Sequence, residues 1–193
     1  GGDYKRAQSS RQAIGVLVIT PANTTWLYKY DLKVIPSLFY LKNQNYIAIG
    51  IGKYLAQEND FEKTRSFYCG YKRLYKANER VDFHIKTDFF FERFTELWNK
   101  QLTFSGNRKE TVTYFGKYNY LRALPGIGIG YSLSNRFFVN TSLLYGLEFH
   151  SNSSDTENLS TGEQTSLTSG SLLSKSRSYA QLQISLSLIL WEN

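Results

Sequence analysis

Apolar and polar residues alternate at nearly every second position along most of this chain. In the segment 180–190, the even positions are apolar, and Gln181, Gln183, Ser185 and Ser187 stand between them. A period of two places successive side chains on opposite faces of a β-strand. Because helical periodicity is scarce, the chain is predicted to be all-β.

Eight segments carry this pattern, at about residues 11–20, 26–41, 45–57, 65–76, 80–98, 111–133, 136–150 and 176–192. Several of them exceed ten residues, which is long for the strands of water-soluble sheets. It is the length expected of tilted strands that cross a bilayer. The segment lengths therefore favour membrane-spanning strands.

The connections between these segments alternate between short and long. Tight turns are predicted at 42–45, 77–79 and 134–135, and longer connections at 21–25, 58–64, 100–110 and 151–175. Short turns at one end and long loops at the other are typical of outer-membrane barrels. The sequence therefore predicts one domain, an eight-stranded antiparallel up-and-down transmembrane β-barrel.

The predicted barrel covers residues 11–193, and residues 1–10 are expected to be an N-terminal periplasmic tail. With eight strands, both termini fall at the short-turn end, which is the periplasmic end of such a barrel. Residues 151–175 are rich in Ser, Thr, Gly and Asn. They are expected to form a long flexible extracellular loop.

An alternating pattern fits two barrels, one with the apolar face inside and one with it outside. Aromatic residues near the ends of the apolar faces, such as Tyr40 and Tyr131, favour a membrane barrel with interfacial girdles. Small residues on the opposite face, such as Gly126 and Gly128, suit a narrow interior. The residues expected to face lipid are Leu182, Ile184, Leu186, Leu188, Ile127 and Ile129.

The polar face carries equal numbers of basic and acidic residues, and buried charge is costly unless it is paired. The basic residues are Lys29, Lys33, Lys72, Lys86, Lys117 and Arg122; the acidic residues are Asp31, Asp82, Asp88, Glu92, Glu96 and Glu148. We therefore predict an ion-pair network in the lumen. Its members are Lys29, Asp31, Lys33, Asp82, Lys86, Asp88, Glu92, Arg122 and Glu148.

Composition adds a few constraints. The net charge is +7, but the basic residues are spread singly, which argues against a nucleic-acid partner. The single Cys69 has no partner for an intramolecular disulfide or a zinc site. No apolar run is long enough for a transmembrane helix, and the absence of Met is consistent with a removed targeting peptide.

Two stretches, "LRALPGIGIGYSLSNRFFVNTSLLYGLEF" and "KVIPSLFYLKNQNYIAIGIGKYL", each contain Pro, a tight Asn turn and a second alternating strand. This arrangement resembles the small outer-membrane β-barrel proteins of Bacteroidetes. The final strand, with Trp191 two residues from the end, resembles the signal strand of the barrel-assembly machinery, although the aromatic is not the last residue. The resemblance implies outer-membrane residence and no particular activity.

Catalytic candidates are few. The segment "EFHSNSSD" resembles the His-x-Ser-Asn segment of the eight-stranded lipid A deacylases, which implies His150 as base and Ser151 or Ser153 as nucleophile. Only residues two apart share a strand face, so the sequence does not supply this pair. "GIGIG" lacks the helix of a phosphate loop. His84 with Asp82 is better explained by a structural ion-pair network.

The expected function is a non-enzymatic integral outer-membrane β-barrel, an anchor or accessory subunit of a larger complex, without metal or cofactor. Its expected partners are outer-membrane lipid, lipopolysaccharide and other outer-membrane proteins. The basic residues expected to meet lipopolysaccharide phosphates are Lys100, Arg108, Lys109, Lys175 and Arg177. Two alternatives remain: a lipid A-modifying esterase or deacylase, and a soluble lipocalin-like ligand-binding barrel.

Overall fold

The structure, a computed structural model, describes residues 12–23, 32–56, 61–103, 109–158, 164–169 and 175–193. These residues form nine β-strands. The strands are β1 Gln12–Asn23, β2 Leu32–Lys42, β3 Asn45–Ala56, β4 Phe61–Lys76, β5 Val81–Thr103, β6 Lys109–Ser132, β7 Phe137–Asn158, β8 Gln164–Ser169 and β9 Lys175–Glu192. No helix in the described part of the chain is long and apolar enough to span a membrane.

Eight of the strands close into a ring. Strands β1 to β7 pair antiparallel in chain order, β7 pairs with β9, and β9 pairs with β1. Strand β8 is not part of the ring. It pairs with residues 152–157 of β7, whereas β9 pairs with residues 137–150 along the same edge. The predicted eight-stranded antiparallel barrel is confirmed, because closure leaves each ring strand with a neighbour on both sides.

The tight turns lie at one end of the barrel and are fixed by local side chains. Asn43 adopts a positive φ of 59° in the β2–β3 turn, a conformation that Asn tolerates better than most residues. In the β4–β5 turn, the Asn78 side chain accepts hydrogen bonds from the backbone amides two and three residues further on. In the β6–β7 turn, the Ser134 hydroxyl does the same. Gln12 and Asn193 also hydrogen-bond each other's backbone, so β1 begins and β9 ends at this short-turn end.

The wall of the barrel is taller on one side. Strands β5, β6 and β7 have 23, 24 and 22 residues, whereas β2 and β3 have 11 and 12. The described parts of the long strands thus exceed those of the short strands by 10–13 residues. At roughly 3.3 Å per residue, this is about 33–43 Å along the strand. The extra length lies at the end opposite the tight turns.

Part of this extension falls where the sequence predicted the long loop. Residues 151–158 continue β7, and 164–169 form β8, so the expectation of an irregular loop is wrong for those residues. Ladder hydrogen bonds join backbone groups and need no apolar side chain, and β6 supplies a partner along this whole length. The connections predicted at 58–64 and 100–110 also begin or end within strands, since β4 begins at Phe61 and β5 ends at Thr103.

The apolar face of the barrel points outward. Ile127 is 65% exposed, and Leu182 and Ile184 are each 46% exposed. The remaining residues expected to face lipid, Ile129, Leu186 and Leu188, are exposed as well. This arrangement is the reverse of a lipocalin interior, so the soluble lipocalin-like alternative is wrong.

The interior holds a buried apolar cluster, which includes Ile35, Phe90 and Leu124, together with polar side chains that lie over glycines. Cross-strand pairs on the inner face of β5 and β6 are Asp82 with Gly130, His84 with Gly128 and Lys86 with Gly126. A Cβ atom added at Gly128 would collide with the His84 ring and with the Ser142 hydroxyl. Gly128 and Gly130 therefore make room for polar side chains of β5 and β7, and Gly126 makes room for Leu144.

Candidate functional site: the polar barrel interior

The first cluster of buried charges centres on Arg122, toward the end of the barrel opposite the tight turns. Its guanidinium pairs with Glu148, with Nε and Oε2 2.5 Å apart, and with Glu92. Arg177 reaches the other oxygen of Glu148 at 2.6 Å, and the Ser66 hydroxyl donates to Glu92 at 3.2 Å. Both carboxylates are almost fully buried, so each keeps charge-assisted partners, as buried carboxylates require.

The second cluster centres on Asp88, in the middle of the barrel. The Lys86 ammonium lies 2.8 Å from Oδ2 of Asp88 and also donates to the side-chain oxygen of Gln183. Gln183 in turn donates to Asp88 at 3.0 Å, and the Tyr68 hydroxyl donates to the other oxygen at 3.0 Å. Residues of β4, β5 and β9 are thus joined across the lumen.

The third cluster lies nearest the tight turns and contains fewer charges. His84 hydrogen-bonds the Ser142 hydroxyl through Nε2 at 2.9 Å and faces Asp82 through Nδ1 at 3.4 Å. Lys72 donates to the Asn140 amide oxygen at 3.3 Å and lies over the Tyr46 ring, 4.3 Å from its centroid. The main acceptors of this lysine are therefore neutral groups.

The structure thus joins Lys86 with Asp88, and Glu92 with Arg122 and Glu148; Asp82 contacts His84. The predicted members Lys29 and Asp31 lie outside the described residues, and of Lys33 only the backbone position on β2 is described. The sequence prediction missed Tyr68 and Gln183. Period-two alternation places both residues on the inner face, and this pattern could have identified them as members of the network.

Lys117 does not belong to the inner face, contrary to the charge count made from the sequence. On β6 it follows the alternation of Leu121 and Ile127, and its ammonium lies 5.0 Å from the centroid of the Phe115 ring on the same face. Above the apolar part of the barrel both faces are polar, so polarity no longer distinguishes inside from outside.

Arg177 was expected to meet lipid phosphates but instead binds the buried carboxylate of Glu148, although its side chain is 60% exposed. For Lys100, Lys109 and Lys175 only backbone positions are described, and Arg108 lies outside the described residues. The pairing of Arg177 with an inner-face residue follows from the β7–β9 register, where Glu148 lies opposite it.

A cavity of about 280 Å³ opens among the tight turns. Its wall includes Phe39, Phe138 and Ile189, and its floor includes Lys72 and Asn140. A second cavity of about 10 Å³ lies deeper, beside His84, with room for about one water molecule. Further in, Phe90, Leu124 and Leu144 are almost completely buried and fill the lumen. The larger cavity, called the vestibule below, therefore ends within the barrel.

Two arrangements in the interior resemble catalytic machinery. His150 lies on the inner face in line with Glu148, whereas Ser151 and Ser153 lie on the opposite face, and the Ser151 hydroxyl is 3.5 Å from the Asn119 amide. The structure therefore does not bring the predicted base and nucleophile together.

The second arrangement, Ser142–His84–Asp82, has the connectivity of a nucleophile, base and orienting carboxylate. The Ser142 side chain is buried, and the adjoining cavity has space for about one water molecule. An acyl substrate has no room beside this hydroxyl, so the arrangement fits a structural hydrogen-bond network. Among the described residues, no group of three or more His, Cys, Asp or Glu side chains is placed to hold a metal ion.

Comparisons with known proteins identify the fold. No protein-family model and no curated protein sequence matches this chain. A major outer membrane protein from Thermus thermophilus is similar in structure, with a TM-score of 0.51 and 10% identity over 93% of this chain and 99% of that one. Neisserial surface protein A gives a TM-score of 0.43 and 12% identity over 92% and 95% of the two chains.

The outer membrane protease OmpT of Escherichia coli gives a TM-score of 0.47 and 7% identity, covering 94% of this chain and 95% of that one. Identities this low establish likeness of fold and not of activity. Closure into eight strands, an outward apolar face and the similarity to the Thermus protein agree with one another. The chain therefore has the fold of a small outer-membrane β-barrel.

Proposed function

We propose that this protein is an integral barrel of the bacterial outer membrane that acts without catalysis, as an anchor or accessory subunit of a larger envelope complex. The observation that carries the proposal is the outward apolar face combined with a lumen filled by paired charges. An apolar exterior of this kind is stable when it is surrounded by the hydrocarbon of a lipid bilayer. The filled interior leaves the outer wall and the tall extension as the surfaces available for partners.

The proposed orientation places the tight turns and both termini in the periplasm and the tall side of the barrel outside the cell. Short periplasmic turns and longer extracellular segments are the usual arrangement in outer-membrane barrels. The resemblance of two strand pairs to small Bacteroidetes barrels supports that group as the source. The proposed lipid partner is lipopolysaccharide, and the proposed protein partner is another outer-membrane protein.

Three long strands support the proposed partner contact. Strands β5, β6 and β7, with β8 beside them, extend beyond the described lengths of β2 and β3. Among the described residues, the part of β5 beyond Glu96 pairs only with β6, and β8 pairs only with β7. Sheet edges of this kind accept an additional strand from another chain. A barrel that only needed to span the bilayer requires strands of about 9–11 residues.

Two experiments test this proposal. The protein should remain with the outer-membrane fraction after a carbonate wash, and purification at native abundance in mild detergent should recover a second envelope protein by mass spectrometry. Recovery of a solitary monomer would count against the accessory role, and release by carbonate would count against membrane integration. In planar bilayers the filled lumen should give no stable open-channel conductance.

A further inference from the structure

The outer face of the barrel changes abruptly from apolar to basic at the edge away from the tight turns. Ile51, Phe67 and Phe91 are cross-strand neighbours on β3, β4 and β5, and they are 70%, 51% and 42% exposed. Two residues further along β4 and β5, on the same outer face, Arg65 and Arg93 lie directly opposite each other. Both arginines are exposed.

Two arginines in this position need a counter-ion. Directly opposed residues have Cβ atoms about 4.5–5.5 Å apart, and like charges there are destabilising. In the part of the chain that the structure describes, no ion pair or hydrogen bond involves either guanidinium. The next residue across from Arg93 is Asn119, which is neutral. Within the described residues, no acidic side chain neutralises the positive charge gathered here.

Neutral polar residues lie beside Arg93 on the outer face. Asn119 of β6 pairs with Arg93. Asn119 also pairs with Ser151 of β7, and the two side chains form a polar contact of 3.5 Å. The two arginines on β4 and β5 thus begin a row of outer-face positions that neutral polar residues continue on β6 and β7.

The height of the row matches the boundary of a bilayer. From Phe83 to Phe91 the outer face of β5 runs along roughly 27 Å of strand, or about 20 Å of height at a tilt near 40°. The apolar band of outer-membrane barrels is about 25 Å tall. Arg65 and Arg93 stand immediately above this band, at the level of lipid headgroups, with three large apolar side chains below them.

We propose that Arg65 and Arg93 form a binding site for a phosphate group of a phosphorylated glycolipid in the surrounding leaflet. The two planar guanidinium groups donate bidentate hydrogen bonds to the phosphate oxygens, and the acyl chains lie along Ile51, Phe67 and Phe91. The phosphate supplies the counter-ion that the described residues do not. This inference rests on the proposed outer-membrane location, and it assigns the lipid contact to residues on the wall of the barrel.

A double variant, Arg65→Gln with Arg93→Gln, tests the site. The variant and the wild type are expressed in outer membranes, purified in mild detergent and analysed for lipid A bound per barrel by mass spectrometry. We expect the bound lipid A to fall about tenfold or more, because charge-assisted contacts to phosphate are lost. Arg73→Gln is the matched control, since Arg73 is an exposed arginine at the opposite edge of the band; it should retain wild-type lipid.

A second measurement uses the wild-type barrel in nanodiscs doped with bisphosphorylated lipid A or with its dephosphorylated form. Preferential retention of the phosphorylated form by the wild type, and loss of that preference in the double variant, supports the site. Equal retention of both forms by the wild type overturns it. Heat-modifiable migration on SDS gels confirms that each variant is folded before lipid is measured.

The outcomes separate this inference from the proposed function. If the wild type is not in the outer membrane, the proposed function fails. If it is there and the double variant keeps its lipid A, only the arginine site fails. If the double variant instead loses a co-purifying protein while its lipid A is unchanged, the row belongs to a protein contact and the lipid site is overturned.

Discussion

The two ends of the barrel carry different chemistry on both their inner and outer faces. At the tall end, the interior is held by Arg122 between two buried carboxylates, and the exterior carries Arg65 and Arg93 without a described counter-ion. At the short-turn end, the interior opens into a vestibule over Lys72. The exterior there is bordered by tyrosines, and the hydroxyls of Tyr40 and Tyr71 donate to the neutral side chains of Gln12 and Asn45.

This difference bears on the orientation proposed for the barrel in the membrane. Tyrosine and tryptophan occupy the interface on either side of a membrane, and they do so here with Tyr40, Tyr71, Tyr131 and Trp191. A row of uncompensated arginines suits a leaflet rich in anionic headgroups. Both features are compatible with the proposed orientation, in which the tall end is extracellular.

The largest loss of stability is expected when the buried cation at the tall end is removed. Arg122→Met leaves Glu92 and Glu148 buried without their central partner, which should lower the free energy of unfolding by about 3–5 kcal/mol. Lys72→Met at the short-turn end removes a cation bound by a neutral amide and should cost about 1 kcal/mol. Denaturant unfolding from lipid vesicles measures both. Equal losses would show that the two interiors are equivalent.

The next largest loss of stability is expected when a charge is placed in the apolar band of the outer face, and its size at two positions tests where the band lies. Ile127→Arg places a charge near the middle of the band and should destabilise the barrel by about 2–4 kcal/mol. Leu133→Arg, in the turn after β6, should cost no more than about 1 kcal/mol. The same vesicle titration compares them. A larger loss at Leu133 would mean that the band is misplaced along the strands.

A smaller effect is expected at the hydrogen-bond network around His84. Ser142→Ala removes the hydroxyl 2.9 Å from Nε2 of His84 and should lower the free energy of unfolding by about 1 kcal/mol. Because Ser142 is buried beside a cavity that holds about one water, a fluorophosphonate probe should leave the wild-type protein unlabelled. Covalent labelling that Ser142→Ala abolishes would contradict the non-enzymatic proposal.

The smallest effect is expected at the tyrosine border. Tyr71→Phe removes a hydroxyl that donates to the Asn45 side chain at 2.6 Å and should cost about 0.5–1 kcal/mol. Tyr145→Phe changes a tyrosine that is 63% exposed and has no hydrogen bond within the described residues; it should be neutral or slightly stabilising. Unfolding midpoints in the same vesicles test the pair, and identical midpoints would show that the Tyr71 contact has no energetic role.

Period-two alternation by itself determined the strands and their faces wherever one face is apolar. On β2, alternation places Ile35, Ser37 and Phe39 on the face opposite Leu38, and the structure buries all three. Alternation on β5 likewise predicts the inward orientation of Lys86, Asp88 and Glu92. The physical reason is that successive side chains of a strand point to opposite faces, so exposure of one face to hydrocarbon turns the other face toward the lumen.

Above the apolar band this rule no longer applies, and there the tertiary structure decided. Both faces of the tall extension are polar, so Lys117 was assigned to the wrong face, and residues 151–158 resembled a loop although β6 pairs with them. The juxtaposition of Arg65 with Arg93 depends on the register of β4 against β5. Register is fixed by closure of the whole ring, and a local pattern of residues does not contain it.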